Sequence, residues 1–141
     1  MKHGILAGAL VASLLMPVSV AFAQTPANTS LGSVTLSRKV TADGQPLAAG
    51  TYQVRLSADS PKPAVGQTPE AERYVEFLRG GKVVAREVAT VISDADAASI
   101  VKGPKPARGG VRVDLLKGND YVRVWINRGG NNYIIHMPPS A

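Results

Sequence analysis

Apolar and polar residues alternate in three short stretches near the C-terminus, 111–116, 121–127 and 132–137. Alternation of this kind is typical of β-strands with one buried face. Turn residues separate the stretches, at Gly118-Asn119 and at Gly129-Gly130. The pattern therefore predicts three consecutive antiparallel strands.

The alternation also predicts how these strands pair. Antiparallel pairing about the two turns sets Val124 opposite Val113 on one side and Ile135 on the other. One face is then apolar apart from the Tyr133 hydroxyl. It consists of Val111, Val113, Leu115, Val122, Val124, Ile126, Tyr133, Ile135 and Met137. A slip of one residue would mix polar side chains into this face, so the pattern selects one register.

Similar signals predict strands earlier in the chain. Residues 32–40 are rich in β-branched side chains and residues 51–58 alternate cleanly, which favours two strands separated by turn residues over 41–50. Residues 73–92 indicate a hairpin about Gly80-Gly81. Neither one-residue choice of register separates apolar from polar residues there, so the register of this hairpin stays open.

A short helix is predicted near 93–101, with Ser93 as its N-cap and with Asp94 and Asp96 in its first turn. Together the elements predict an all-β fold, either an antiparallel β-sandwich or a small closed β-barrel, of about seven strands. Both architectures use the same strands and turns, so the pattern leaves the choice between them open.

The N-terminus has the pattern of a secretory signal peptide. A basic start leads into a long apolar run and then into the small-residue cleavage site Ala21-Phe22-Ala23. We predict a signal peptide over 1–23, a flexible segment over 24–31 and a single β-domain over 32–138. No second apolar run follows, so we expect no membrane span after cleavage and a periplasmic or extracellular location. An uncleaved membrane anchor is the alternative.

Composition and charge narrow the function. The chain has no Cys, which excludes disulfides and thiolate metal sites. Residues 24–100 carry equal numbers of acidic and basic side chains, whereas residues 101–141 carry seven basic and two acidic ones. A positive field attracts polyanions. Lys102, Lys105 and Arg108 are therefore a candidate basic patch, with a solubilising surface as the alternative.

The other face of the C-terminal strands is mixed and is the candidate ligand-binding site. The register sets Arg123 between Asp114 and His136, which predicts an ion pair with the first and a lowered pKa for the second. Arg112 lies opposite Trp125, close enough for stacking. Exposed aromatic rings flanked by amides and charges are typical of sugar binding. The candidate ligand-binding residues are Arg112, Tyr121, Arg123, Trp125, Asn127, Asn132 and His136.

A second packed layer is the alternative for this face. If residues 93–110 or another sheet cover it, Trp125 belongs to a core, as the lone Trp of a small domain usually does. We expect substantial burial of Trp125, with Tyr121 and Arg123 at an edge that a ligand can still reach.

The stretch PLAAGTYQV, residues 46–54, resembles a motif of small exported bacterial β-domains. In these domains a turn leads into a Gly-Thr-Tyr strand start, as in immunoglobulin-like and carboxypeptidase-regulatory-like modules. The resemblance implies a β-sandwich fold and export, and it implies no activity. It also implies structural roles for two residues: Tyr52 would pack near a corner, and Gly50 would relieve the backbone.

The sequence shows no catalytic motif and no metal-binding motif. After the predicted signal peptide His136 is the only His, and Asp94 and Asp96 lack the Gly and the terminal Glu of a calcium loop. The glycine pairs precede strands rather than helices, which argues against phosphate-binding loops. We predict a non-enzymatic exported domain with a binding or structural role and with no cofactor and no metal; an enzyme such as a hydrolase is the alternative. The expected partner is a cell-envelope polysaccharide, another anionic polymer or another exported protein. Nucleic acid is not expected, because an exported protein does not meet it.

Overall fold

The computed structural model describes residues 26–62, 65–66, 71–116, 118 and 120–140. The predicted signal peptide lies outside the described residues. Within them the chain forms β1 (Ser30–Leu36), β2 (Val40–Ala42), β3 (Gln45–Leu47), β4 (Gly50–Leu56), β5 (Glu72–Arg79), β6 (Lys82–Ser93), α1 (Asp94–Ile100), β7 (Val111–Leu115), β8 (Val122–Arg128) and β9 (Asn131–Met137).

Seven of the described strands form one antiparallel sheet in the order β1-β4-β5-β6-β9-β8-β7, and β2 and β3 form a separate two-stranded sheet. The main sheet curls until its edge strand β7 approaches β1, the strand at the other edge, without a hydrogen-bonded ladder between them. The result is a nearly closed barrel with one apolar core. The predicted all-β fold of about seven strands, with one short helix, is confirmed.

The predicted register of the C-terminal strands is also confirmed. Val124 of β8 pairs with Val113 of β7 and with Ile135 of β9, and all three contribute to the barrel core. Leu115 differs from its neighbours on this face because it is exposed at the end of the edge strand β7. The other apolar side chains of this face pack into or against the barrel core, and those of β8 and β9 are removed from water, whereas Val111 and Val113 are partly buried.

The β5–β6 hairpin contains an irregularity that the alternation pattern does not reveal. Its turn is the predicted Gly80-Gly81 pair, and both glycines have positive φ, as a type I′ turn requires. Phe77 pairs with Ala85 whereas Leu78 pairs with Val83, so one residue of β6 is left over as a β-bulge. The bulge shifts the alternation of β6 by one residue, which is why no single register separated apolar from polar residues.

The segment predicted as a turn over 41–50 contains most of a short second hairpin, β2–β3. Its turn is Asp43-Gly44, again with positive φ at both residues. The hairpin packs Val40, Ala42 and Leu47 into the barrel core. The backbone N–H of Asp43 donates to a carboxylate oxygen of Glu87 on β6 at 2.7 Å. Three-residue strands are too short to show alternation, so the sequence indicates only their turn.

Two strands begin with local adjustments. β1 starts at Ser30, two residues before the predicted start, and an irregularity next to Gly32 lets Leu31 reach the core. β4 starts at Gly50, whose φ of 148° disfavours side chains. Two residues later Tyr52 is buried, and its hydroxyl donates to the carbonyl oxygen of Ala48 at 2.6 Å.

Candidate functional site

The outer face of β8 and β9 is covered by α1 and by residues 101–110, which we call the strap. Trp125 and Ile134 on the sheet pack with Ala97 of α1, and all three are buried in a small second core outside the barrel. Ile92 and Val101 pack against this core and are partly exposed. Much of the mixed face predicted from the sequence is therefore a second packed layer.

A chain of hydrogen bonds attaches α1 to this face. The indole N–H of Trp125 donates to the amide oxygen of Asn132 at 2.8 Å, and the amide nitrogen of Asn132 donates to Asp94 at 3.1 Å. The ammonium group of Lys105 donates to the same carboxylate oxygen at 2.6 Å. The hydrogen bond from Lys105, followed by that from Asn132, lowers the pKa of Asp94. These contacts are tethers that hold the helix and the strap to the sheet.

Asn127 holds the other end of the strap. Its side-chain amide donates to the carbonyl oxygen of Pro106 at 2.9 Å. Its backbone accepts a hydrogen bond from the N–H of Gly109 and donates one to the carbonyl of Gly110. Trp125, Asn127 and Asn132 were predicted as ligand-binding residues, and their exposed fractions are 0%, 1% and 0%. These three residues are therefore part of a second packed layer, which was the alternative to an open ligand-binding face.

Arg123 lies at the boundary between the packed layer and the groove beside it. One guanidinium nitrogen, Nη1, donates to the carbonyl oxygen of Lys102 at 2.9 Å, and Nη2 donates to Asp114 at 3.2 Å. Its guanidinium carbon lies 5.3 Å from the ring centre of Trp125, within cation–π range. The Arg123 Nε atom is buried and has no hydrogen-bond partner. Arg123 is only 9% exposed, so it is less accessible than the edge position we expected.

Asp114 is shared by two arginines. The predicted pair with Arg123 is present, and the Nε of Arg112 donates to both carboxylate oxygens of Asp114, at 3.0 and 2.8 Å. The hydrogen bond from Arg112 is the largest cause of the lowered pKa of Asp114, and Arg123 adds to it against the opposing effect of burial. Arg112 pairs with Trp125 in register, but the cation over the indole ring is Arg123.

Tyr121 and His136 form the exposed edge of the predicted site. The Tyr121 side chain is exposed, and its ring meets the His136 ring edge to face with centroids 6.1 Å apart. Partial burial and, secondarily, the positive charge of Arg123 lower the pKa of His136. The predicted direction of this shift is confirmed, with burial as the larger cause.

The candidate basic patch lies on the strap. Lys102, Lys105 and Arg108 are all exposed, and the Arg108 side chain retains 86% of its accessible surface. Lys105 and Arg108 both face Asp94, at 2.6 and 4.0 Å. One carboxylate thus serves two cations, and the patch keeps an excess of positive charge.

A groove lies between the C-terminal end of α1 and the outer face of the sheet. Its volume is about 310 Å³, and it is lined by Thr90, Ile92, Ile100, Val101, Lys102, Arg123, Ile134 and His136. Only Lys102, Arg123 and His136 were among the predicted site residues. The apolar pair Ile100-Val101, at the end of α1 and just after it, is the one local feature of the sequence that could have indicated an apolar groove here.

The described residues set limits on the chemistry. Among them no cluster of three or more His, Asp or Glu side chains could hold a metal ion. Asp114 and His136 lie on β7 and β9 with Arg123 of β8 between them. The same part of the chain also contains no helix with the length and apolar character needed to cross a membrane.

Fold and site together define an all-β domain with a covered outer face, a groove and a cationic strap. In comparisons with known proteins, no family model matches the chain, and no curated protein or solved structure is significantly similar to it.

Proposed function

We propose that the protein is an exported, non-enzymatic binding domain of the periplasm or the cell exterior, and that its ligand is an anionic polysaccharide of the cell envelope. The binding surface is formed by Lys102, Lys105 and Arg108 of the strap together with Arg112 and Tyr121. We call these five residues the cationic surface. The buried residues Trp125, Asn127 and Asn132 serve it indirectly, because they attach α1 and the strap to the barrel.

The observation that carries the proposal is the excess of positive charge around the strap. Lys105 and Arg108 share Asp94, and Arg112 and Arg123 share Asp114, while Lys102 is exposed beside them. The strap and the strands beneath it thus carry three more cations than these two carboxylates neutralise. A surface of this kind attracts a polyanion over several ångströms and binds it less well as salt screens the charges.

Tyr121 adds a feature suited to sugars. Its side chain is 45% exposed, and an exposed aromatic ring can stack on the apolar face of a sugar while its hydroxyl forms hydrogen bonds. Arg112 is partly exposed and uses its Nε for Asp114, which leaves other guanidinium N–H groups for a carboxylate. Uronate or phosphate groups of a polysaccharide would meet cations and an aromatic ring on one side of the domain.

The test compares two triple variants that remove the same charge. Lys102→Gln, Lys105→Gln and Arg108→Gln together remove the strap cations, and Arg38→Gln, Lys39→Gln and Lys82→Gln together remove three exposed cations elsewhere. Calorimetric titration with polygalacturonate at low salt should show affinity reduced about tenfold for the first variant, at about 0.5 kcal/mol per exposed pair. The second variant should keep near-normal affinity.

Three results would contradict the proposal. The first is equal weakening by the two triple variants, which would indicate attraction by net charge alone. The second is binding that does not weaken between low and high salt. The third is equal binding to neutral dextran, which would remove the need for cations.

Export has its own test. The full-length chain produced in a bacterium should be recovered from the periplasm or the medium with Gln24 as its first residue, as determined by mass spectrometry. Replacing Ala21 and Ala23 with large residues should block this processing. Recovery of the intact chain from the cytoplasm would refute the export part of the proposal and leave the binding part open to test.

A further inference from the structure

The groove beside α1 has an apolar wall that is left open. Ile92 and Ile134 of the sheet and Ile100 and Val101 at the end of the helix all line it. Ile100 is 63% exposed, although it is a large apolar side chain next to a buried cluster. Apolar surface in a concave site of this kind is stabilised by an apolar ligand, because binding removes it from water.

The rest of the groove lining is polar or positively charged. It consists of Arg123, Lys102 and His136, and Thr90 adds a hydroxyl. Arg123 has five N–H donors, and the described contacts give it two acceptors, Lys102 and Asp114. Its Nε has none. The donor capacity of this buried guanidinium therefore exceeds the acceptors around it, which favours an added anionic acceptor.

The charges around the groove also favour an anionic ligand. Asp114 is the carboxylate that contacts Arg123, and it is already bound at shorter distance by Arg112. The Lys102 side chain adds a second cation at the groove, and unlike Arg123 it is exposed. An acid with an apolar tail complements both the apolar and the cationic side chains of the lining, whereas a neutral apolar molecule complements only the apolar ones.

Groove size limits the ligand. A volume of about 310 Å³ is at the lower end of the range of small-molecule sites. A medium-chain aliphatic acid fits this volume, whereas a long lipid chain would extend into solvent.

We propose that this groove binds a small amphipathic anion, a medium-chain aliphatic carboxylate. Its tail lies against Ile92, Ile100 and Ile134, and its carboxylate accepts hydrogen bonds at the Arg123 and Lys102 side. The site is separate from the cationic surface except for Lys102. Its existence does not depend on polysaccharide binding.

The experiment uses the full chain and octanoate as the probe, with octanol and acetate as matched partial ligands. Calorimetry and NMR titration should show saturable octanoate binding, octanol at least tenfold weaker, and no saturable binding of acetate. Chemical-shift changes should centre on Ile100, Val101 and His136.

Two variants keep the test specific. Ile100→Gln replaces an exposed side chain, so the fold should persist, and it should weaken octanoate binding at least tenfold. Val83→Gln replaces a similarly exposed apolar side chain outside the groove and should leave binding unchanged. The variant Arg108→Gln, at a side chain that is exposed and outside the groove, should weaken polygalacturonate but not octanoate, which separates the two proposals.

Several results would overturn the proposal. Equal affinity for octanol and octanoate would show that the cations play no part. Equal weakening by Val83→Gln and Ile100→Gln would show non-specific adsorption. Binding to vesicles of anionic lipid with no response to monomeric octanoate would assign the groove to a membrane surface instead.

Discussion

Trp125 shows how one residue determines the use of a whole face. Its indole ring is buried under α1, its N–H is bound by Asn132, and the Arg123 guanidinium lies over it. The ring faces and the N–H group of this indole, which could otherwise contact a ligand, are therefore already used within the protein. The aromatic ring best suited to bind sugar is therefore structural, and Tyr121, four residues earlier on the same face, keeps its ring exposed.

The first prediction compares these two aromatic residues. Trp125→Ala should lower the free energy of unfolding by about 3–5 kcal/mol, because it leaves a cavity in a packed core and a buried Asn132 without its donor. Tyr121→Ala should lower it by less than about 1 kcal/mol, as for most exposed side chains. Urea unfolding curves measure both values.

Fluorescence provides an independent check, since Trp125 is the only Trp in the chain. The native protein should emit at short wavelength and resist quenching by iodide. Red-shifted emission with strong quenching, or similar stability losses for the two variants, would show that the outer face is open.

The second prediction concerns His136. Burial and the Arg123 charge hold its pKa below the usual 6.5, so the unfolded chain takes up the proton first as the pH falls. The contribution of the neutral His to stability is then present above about pH 6.5 and is lost as the pH falls below it.

His136→Gln should remove this pH dependence. Thermal melts of the two proteins between pH 8 and pH 5 test it, and an NMR titration of the His136 ring measures the pKa directly. A His136 pKa above 6.5, or melts that diverge in the opposite direction, would contradict the assigned environment.

At the scale of elements, the strap is held by a few side-chain tethers and by the backbone hydrogen bonds of Gly109 and Gly110 to Asn127. It contains no regular secondary structure, and Asp94, Asn127 and Arg123 hold it by hydrogen bonds to Lys105, Pro106 and Lys102. Segments with few buried apolar contacts open more easily than strands do. The position of the cations in the cationic surface is therefore controlled by residues that lie beneath it.

The third prediction uses two acids of α1. Asp94→Ala removes the acceptor of both Lys105 and Asn132, so amide hydrogen exchange over 101–110 should accelerate several-fold. Asp96→Ala is the control, because Asp96 accepts a side-chain hydrogen bond from Ser93, which lies outside the strap. Hydrogen exchange followed by mass spectrometry distinguishes them. Equal protection of the strap in both variants would mean that Asp94 is not its tether.

Some elements could be predicted from the sequence because they follow regular rules. The register of β7, β8 and β9 follows from strict alternation, which makes Val124 inward in only one pairing. The Gly80-Gly81 and Gly129-Gly130 turns follow from the positive φ that type I′ turns need. The position of α1 follows from its cap and acidic first turn, although the Ser93 hydroxyl donates to Asp96 rather than capping a backbone N–H.

Other features depend on contacts between distant residues and leave no local signal. The bulge of β6 at Val84 interrupts alternation without a Gly or Pro to mark it. The burial of Asn127 requires the strap, and that of Asn132 requires α1 with its Asp94, and the sequence gives no indication of where either folds back. The groove needs Ile100 to lie beside Ile134, on elements far apart in the chain. Three of the seven candidate ligand-binding residues, Trp125, Asn127 and Asn132, are therefore buried.

In the whole molecule the apolar core and the excess of positive charge lie in different places. The barrel core is apolar and holds the strands, while the outer face of β8 and β9 carries α1, the strap and the charge. Residues 24–100 have no net charge, and the excess of basic residues lies after residue 100. A polyanion should therefore approach one side of the domain. Exposed cations elsewhere, such as Lys82 and Arg38, belong to the part of the chain in which acidic and basic residues are equal in number.

The most direct test of polyanion binding at the cationic surface is an NMR titration of the labelled protein with polygalacturonate at low salt. Shifts and line broadening should concentrate on residues 101–112 and on Tyr121, and they should disappear at high salt because the charges are screened. Perturbations spread evenly over the exposed cations, or centred on Arg38, Lys39 and Lys82, would contradict it.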